Sequence, residues 1–137
     1  MGSQYDITCP ECGYRQRLHL GVGMAYTSIE AVIDLVPHAL REPVLQAIQQ
    51  NPAGVGDFRH ALYCCSDCQR RAGRFYFQVT DAGGRVIEPE YHCSRCRCTL
   101  TREAEADAPD LDDAPQDWPC PECGHQGLHS ALTVLWD

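Results

Sequence analysis

The sequence predicts a small α+β protein in which β-hairpins carry paired cysteines and two helices are inserted in the first half. Three observations lead to this fold class. Eight of the ten cysteines occur in Cys-x-x-Cys pairs. A stripe of apolar residues with helical spacing follows a capping box near residue 27. Short segments of alternating apolar residues flank the cysteine pairs, as expected of strands that enter and leave tight turns.

The cysteine pairs predict metal sites. The pairs are Cys9 and Cys12, Cys65 and Cys68, Cys93 and Cys96, and Cys120 and Cys123. Two intervening residues allow a tight turn that aims both sulfur atoms at one ion, and zinc takes four such ligands in a tetrahedron at about 2.3 Å. Four pairs therefore supply two complete four-cysteine sites, with about two ions per chain and no coordination position left for water.

Disulfide bridges and a redox dithiol are the alternative interpretations of these pairs. No feature of the sequence indicates an oxidising compartment, which is where disulfides persist. A thioredoxin-type dithiol occurs once, beside a βαβ pattern, whereas this chain has four pairs among predicted hairpins. The sequence therefore favours metal binding in a cytoplasmic protein.

Two of the pairs resemble the knuckles of the zinc-ribbon superfamily. The segments are Cys9-Pro10-Glu11-Cys12-Gly13 and Cys120-Pro121-Glu122-Cys123-Gly124, which look like rubredoxin-type turns at the tip of a β-hairpin. The resemblance implies two β-hairpin zinc ribbons, with iron as the alternative metal because rubredoxin-like iron sites have a similar ligand set. The family includes transcription factors, RNA polymerase subunits, ribosomal proteins and enzyme appendages, so the resemblance implies a ligand geometry and no single function.

The sequence leaves two ways to combine the knuckles. Pairing in chain order joins Cys9/Cys12 with Cys65/Cys68, and Cys93/Cys96 with Cys120/Cys123. Nested pairing joins Cys65/Cys68 with Cys93/Cys96, and the first knuckle with the last. Loop-closure entropy grows slowly with loop length and separates the two poorly. We favour chain order, because each site then contains one Cys-Pro-Glu-Cys-Gly knuckle and one plainer partner.

Chain order also predicts two domains. Residues 1–82 would form the first ribbon, with a helical insertion at about residues 27–51. Residues 83–137 would form the second ribbon, in which residues 103–117, with seven acids and no base, would be a flexible loop.

The insertion is predicted to contain two helices. Thr27 and Glu30 form the capping box of the first helix, and Pro37 ends it. Its apolar stripe consists of Ile29, Val32, Ile33 and Val36. The second helix is expected from about residue 42 to residue 50, with its apolar face formed by Val44, Ala47 and Ile48.

The remaining elements are predicted strands. A strand is expected at residues 14–20, another at 58–63 and a third at 75–79, followed by a hairpin turn at 81–84 and a return strand at 85–91. A final strand is indicated by the alternation of Leu132, Val134 and Trp136.

Charge and the absence of a catalytic set limit the functions that the sequence supports. The net charge is −8, no lysine is present, and residues 58–102 carry eight arginines against four acids. Filled four-cysteine sites are structural, since catalytic zinc keeps an open position. No apolar stretch is long enough to cross a membrane. We therefore expect a non-catalytic zinc protein that acts as a protein-interaction adaptor or accessory subunit.

Two alternative functions remain. The first is a nucleic-acid-binding zinc ribbon that uses the arginines and aromatic residues of residues 58–102. The second is a thiol-dependent metal-handling or redox protein that uses Cys64 or Cys98, the two cysteines outside the pairs. The competing interpretation of these two thiols is that each is a small buried apolar residue or a substitute ligand for its neighbour.

Overall fold

The fold is dominated by one antiparallel sheet. The structure is a computed structural model that describes residues 1–103, 111 and 114–137. Its described strands are β1 (Gly2–Thr8), β2 (Arg15–Gly21), β3 (Val55–Cys65), β4 (Arg71–Thr80), β5 (Val86–Ile87), β6 (Leu100–Arg102), β7 (Ala114–Pro119) and β8 (Gln126–Trp136). One α-helix, α1 (His38–Gln50), and two 3₁₀ helices (Glu30–Leu35 and Pro52–Gly54) complete the described elements.

Seven of the strands follow one another across the sheet in the order β5-β4-β3-β2-β1-β8-β7, and β6 pairs with β3 outside this path. The sheet curls into a half-barrel. The predicted fold class, an α+β protein of two separate ribbons with a two-helix insertion, is therefore wrong. Turn signals and alternation identified individual strands, but they carried no information on which strands pair. The division of the chain after residue 82 stays a prediction.

Strand β1 joins the two ends of the chain. It pairs along its length with β2 on one side and with β8 on the other. Thr8, its last residue, lies opposite both Arg15 and His129. The turn after β1 and the turn before β8 therefore lie at the same end of the sheet.

Strand β3 organises the middle of the chain. It pairs with β4 over most of its length and with β6 at residues Tyr63 to Cys65. A bridge between His92 and Thr99 closes a small hairpin just before β6. Strands β2 and β3 are paired at Gly21 and His60, where the two halves of the sheet meet.

The helical insertion contains one α-helix and not the predicted two. The predicted first helix is a 3₁₀ helix, Glu30–Leu35, with non-helical backbone angles at Val32. Ser28, and not Thr27, accepts the hydrogen bond from the Ala31 N–H at 3.2 Å. β-branched residues at the predicted helical positions lower the helix propensity, and Pro37 cannot continue an α-helix, so the segment forms a short 3₁₀ helix.

Helix α1 begins at His38, four residues before the predicted start. Its predicted apolar face is confirmed, because Val44, Ala47 and Ile48 are buried. These side chains share a core cluster with Phe77 and Val79 of β4. Phe77 and Val79 have no exposed area, so the helix seals one face of the β3–β4 part of the sheet.

The other part of the sheet has its own core. Tyr5, Ile7, Leu18, Leu20 and Leu62 are buried together from β1, β2 and β3. Leu111 and two of the paired cysteines, Cys9 and Cys120, belong to the same cluster. The apolar interior therefore continues up to one of the cysteine turns.

Gly73 is required where β4 passes β2. A methyl group at this residue would lie 2.6 Å from the carbonyl oxygen of His19. We expect Gly73→Ala to lower the free energy of unfolding by about 1–3 kcal/mol through overpacking, measured by urea denaturation. Gly83→Ala is the matched control, because its methyl group would lie 3.4 Å from a carboxylate oxygen of Asp81. Equal stability of the two variants would contradict the close approach.

The second half of the chain departs from two further predictions. The hairpin turn at 81–84 is confirmed, with the Asp81 carboxylate accepting hydrogen bonds from the Gly83 and Arg85 N–H groups. The return strand is restricted to Val86–Ile87 and does not extend to residue 91. Part of the predicted acidic loop is strand β7, which starts at Ala114. Residues 104–110 and 112–113 of that loop lie outside the described residues.

The length and hydropathy of the helices bear on membrane insertion. Among the residues described above, no helix combines the length and the apolar character needed to cross a bilayer.

Candidate metal centres

The first cluster unites the two ends of the chain. Its sulfur atoms belong to Cys9, Cys12, Cys120 and Cys123 and lie within 4.8 Å of one another. The Cys9–Cys123 and Cys12–Cys120 sulfur distances are both 3.6 Å. The β1–β2 turn supplies one pair and the β7–β8 turn the other. We call this cluster the outer site.

The second cluster lies within the middle of the chain. It contains Cys65, Cys68, Cys93 and Cys96, whose sulfur atoms also lie within 4.8 Å of one another. The Cys65–Cys96 distance is 3.2 Å and the Cys68–Cys93 distance is 3.6 Å. The β3–β4 turn and the small hairpin before β6 supply the two pairs. We call this cluster the inner site.

The clusters are nested, so the favoured pairing in chain order is wrong. Strand pairing decides between the alternatives. β1 lies beside β8, which brings the first and last turns together, and β6 lies beside β3, which brings the two middle turns together. The two similar Cys-Pro-Glu-Cys-Gly segments therefore lie in one site and not in two separate sites. Ligation by all eight cysteines stays a prediction.

The four turns have the same backbone geometry. In each, the N–H of the first cysteine donates to the carbonyl five residues later, as from Cys9 to Tyr14 at 2.8 Å and from Cys93 to Cys98 at 2.8 Å. The residue four positions after the first cysteine donates back to that cysteine's carbonyl and has a positive φ. These residues are Gly13, Gln69, Arg97 and Gly124, with φ values of 76°, 61°, 62° and 75°.

Gln69 and Arg97 adopt this conformation without being glycine. Left-handed backbone is uncommon for such residues and costs about 1–2 kcal/mol, so the surrounding turn must hold them there. Sequence reasoning recognised two of the four turns as knuckles from their glycines and treated the other two as plainer. The Cys-x-x-Cys spacing alone was the signal that identified all four.

Backbone N–H groups favour the thiolate form of Cys9 and Cys93, the first cysteines of two of these turns. Burial acts to raise the pKa of Cys9, but hydrogen bonds from the N–H groups of Cys12 and Glu11 and from neighbouring thiols lower it to about 7. Burial likewise opposes the shift at Cys93, where the N–H groups of Cys96 and Arg95 and two thiols lower the pKa to about 6. Thiolates are the form that binds a metal ion.

In each turn the first cysteine is more buried than the second. Cys9, Cys65, Cys93 and Cys120 are the first cysteines and are all buried. The second cysteines of the outer site, Cys12 and Cys123, are exposed, and those of the inner site are half-buried. Each ion position therefore lies at the surface of the sheet, with one side against the protein core.

The clusters fit a tetrahedral metal ion. Sulfur atoms at about 2.3 Å from a central zinc lie about 3.8 Å apart along each edge of the tetrahedron. The sulfur distances of 3.2 to 3.6 Å approach that value. Each four-cysteine group could hold a metal ion.

The two sites are adjacent. A guanidinium nitrogen of Arg95, in the inner-site turn, donates to the Pro121 carbonyl and to Glu122 of an outer-site turn, both at 3.0 Å. Arg70 lies 3.5 Å from the same carboxylate. Since these groups are partly exposed, the pairs orient the two turns and contribute little to stability.

The two cysteines outside the pairs differ from each other. Cys64 is half-buried, and burial raises the pKa of its thiol. Cys98 is exposed, so the interpretation of this residue as a buried apolar side chain is wrong. Neither belongs to the four-cysteine groups, but the sulfur of Cys98 lies within 4.8 Å of that of Cys96.

The segment considered for nucleic-acid binding uses most of its groups within the protein. Four of its six aromatic residues, Tyr63, Phe75, Tyr76 and Phe77, are buried and present no face for stacking on a base. Arg59, Arg70, Arg71 and Arg95 form ion pairs with acidic side chains. The guanidinium of Arg102 lies 3.9 Å from the ring centroid of Tyr76. These contacts do not favour nucleic-acid binding.

Comparison with known proteins adds no family to this description. The chain was compared with protein-family models, with curated proteins and with solved structures, and no match was found.

Proposed function

We propose that this is a non-catalytic zinc protein whose two ions hold the curled sheet together. The observation that carries the proposal is the convergence of eight cysteine sulfurs into two groups of four at one end of the sheet. A site filled by four thiolates leaves no position for water or substrate. A bound ion would therefore supply cross-linking of distant strands and no reaction chemistry.

Zinc is the favoured metal, and iron is the alternative. Zinc has no geometric preference of its own and accepts the tetrahedron that two tight turns present. Thiolate ligands also suit iron, so the donor set alone leaves both metals open. Reduced thiols in such number agree with a cytoplasmic location.

Metal analysis tests the two sites. We expect purified full-length protein to contain about two zinc ions per chain, measured by inductively coupled plasma mass spectrometry. Iron at the same stoichiometry would give a coloured thiolate-to-iron absorption band and would replace zinc in the proposal. Protein that folds without bound metal and with disulfides in the intact mass would contradict it.

We further propose that the protein is an adaptor or accessory subunit that presents its sheet to a partner protein. Support comes from apolar side chains left in solvent at the free end of the β1–β8 pair. Met1, Val134 and Leu135 are 72%, 45% and 57% exposed. Val134 and Leu135 are neighbours on a strand, and their side chains point to opposite faces of the sheet. A partner protein that pairs with this end of the sheet would cover these apolar side chains.

The adaptor proposal is tested by comparing co-purification of tagged wild-type protein with that of the Val134→Ser/Leu135→Ser double variant. We expect a partner retained by the wild type to be lost by the variant, while metal content is unchanged. Leu45→Ser is the matched control, because Leu45 is similarly exposed, at 41%, on helix α1. Equal recovery of the partner with all three proteins would contradict this surface.

A further inference from the structure

We propose a third metal position on the solvent side of the inner site, formed by the Cys98 sulfur, the Asp67 carboxylate and the Cys96 sulfur. It would take a soft or borderline divalent ion such as zinc or cadmium, with Cys96 as a thiolate shared between two ions. The proposal rests on the proposed function, because Cys96 is also a ligand of the inner ion. The three ligand atoms lie within 4.8 Å of one another.

The two turns of the inner site bring these groups together. Asp67 lies between the paired cysteines of the β3–β4 turn, and Cys98 follows the paired cysteines of the next turn by two residues. The carbonyl of Cys98 accepts the hydrogen bond from the Cys93 N–H at 2.8 Å, which fixes its backbone to the turn. The positive φ of 62° at Arg97 directs the chain back toward Cys96. The side chains are thus placed by the same backbone that forms the inner site.

Their environment suits a cation. Cys98 and Asp67 are both exposed, although free cysteine is among the most buried residue types. Among the described residues, the Asp67 carboxylate forms no ion pair, and the Cys98 thiol contacts the Cys96 carbonyl at 3.9 Å and the Cys96 thiol. The guanidinium groups of Arg70 and Arg95 are directed to Glu122 of an outer-site turn. Four thiolates around the divalent ion of the inner site leave a net negative charge, which a cation at the third position would offset.

The donor set distinguishes this position from the two closed sites. Three protein ligands leave a fourth coordination position for water or for a donor from another molecule. Two sulfur donors favour zinc, cadmium or copper(I) over magnesium and calcium. Binding releases the Cys98 thiol proton to solvent and forms a bond from its sulfur to the metal; no electron is transferred. An ion could therefore enter and leave here without opening the inner site.

Cadmium-113 NMR of the full-length, cadmium-loaded protein tests the proposal. We expect about three bound ions per chain and three resonances. The resonance of the ion at the third position should be coupled to that of the inner-site ion through the shared Cys96 thiolate. Cys98→Ser and Asp67→Asn should each reduce the content from about three ions to about two and remove only that resonance. Cys64→Ser and Asp34→Asn are the matched controls and should retain all three.

The outcomes separate this proposal from the proposed function. Two uncoupled resonances in the wild type, or a third resonance that persists in Cys98→Ser, would overturn the third position and leave the two structural sites intact. Failure to bind any cadmium would overturn both. Loss of the two structural-site resonances in Cys98→Ser would mean that this variant does not fold. In that case the cadmium content of Asp67→Asn decides, because an exposed aspartate is not needed for folding.

Discussion

Cys65→Ser is expected to release the inner ion and unfold the protein. Cys65 is fully buried at the end of β3, between the β4 and β6 pairings. A structural zinc site contributes on the order of 10–16 kcal/mol, which equals or exceeds the whole stability of a domain. We expect zinc content to fall by half or more and the cooperative urea transition, followed by circular dichroism, to disappear, because the outer site also depends on the folded β1–β8 pairing.

Cys64→Ser is the control for this change, because Cys64 is adjacent in the chain and lies outside both four-cysteine groups. We expect it to retain both ions and to lose no more than about 1–2 kcal/mol, since its thiol is only half-buried. If Cys65→Ser retained a normal transition with full metal content, the inner site would not be a structural metal site.

Phe77→Ala is the second change with a large expected effect. Phe77 is fully buried beneath helix α1, in one cluster with Val44, Ile48 and Val79. Removal of its ring leaves a cavity that the helix and the sheet cannot fill, and this costs about 3–5 kcal/mol. The free energy of unfolding from urea denaturation of the zinc-loaded protein is the measurement.

Val134→Ala is the control for the apolar truncation, because Val134 lies at the exposed end of β8. Its effect is expected to stay within about 0.5 kcal/mol. An equally small loss in Phe77→Ala would mean that helix α1 is not tightly packed on the sheet, and that metal alone stabilises the β3–β4 part.

Much of the local structure could be predicted from the sequence, because it depends on short-range chemistry. The Cys-x-x-Cys spacing identified all eight converging cysteines. Alternation located β3, β4 and β8, and the apolar spacing located the buried face of α1 at Val44, Ala47 and Ile48. In each case the signal lay within a few residues of the feature.

The architecture could not be predicted, because it depends on contacts between distant segments. Nested cysteine clusters follow from the β1–β8 and β3–β6 pairings, which no local pattern encodes. Strand β1 was missed because Gly2–Thr8 is short and largely polar, and β7 because its segment is rich in proline and acids. The first predicted helix had the right apolar spacing, but its β-branched residues and Pro37 favour a shorter 3₁₀ segment.

The pairing of β1 with β8 also sets the order in which the protein can mature during synthesis. All four inner cysteines, from Cys65 to Cys96, leave the ribosome before the outer site has its second pair. The β1–β2 hairpin precedes the inner cysteines in the chain, yet its partners, Cys123 and strand β8, are synthesised after them. The cysteine turn between β1 and β2 is therefore the turn that stays without its partner for the longest time during synthesis.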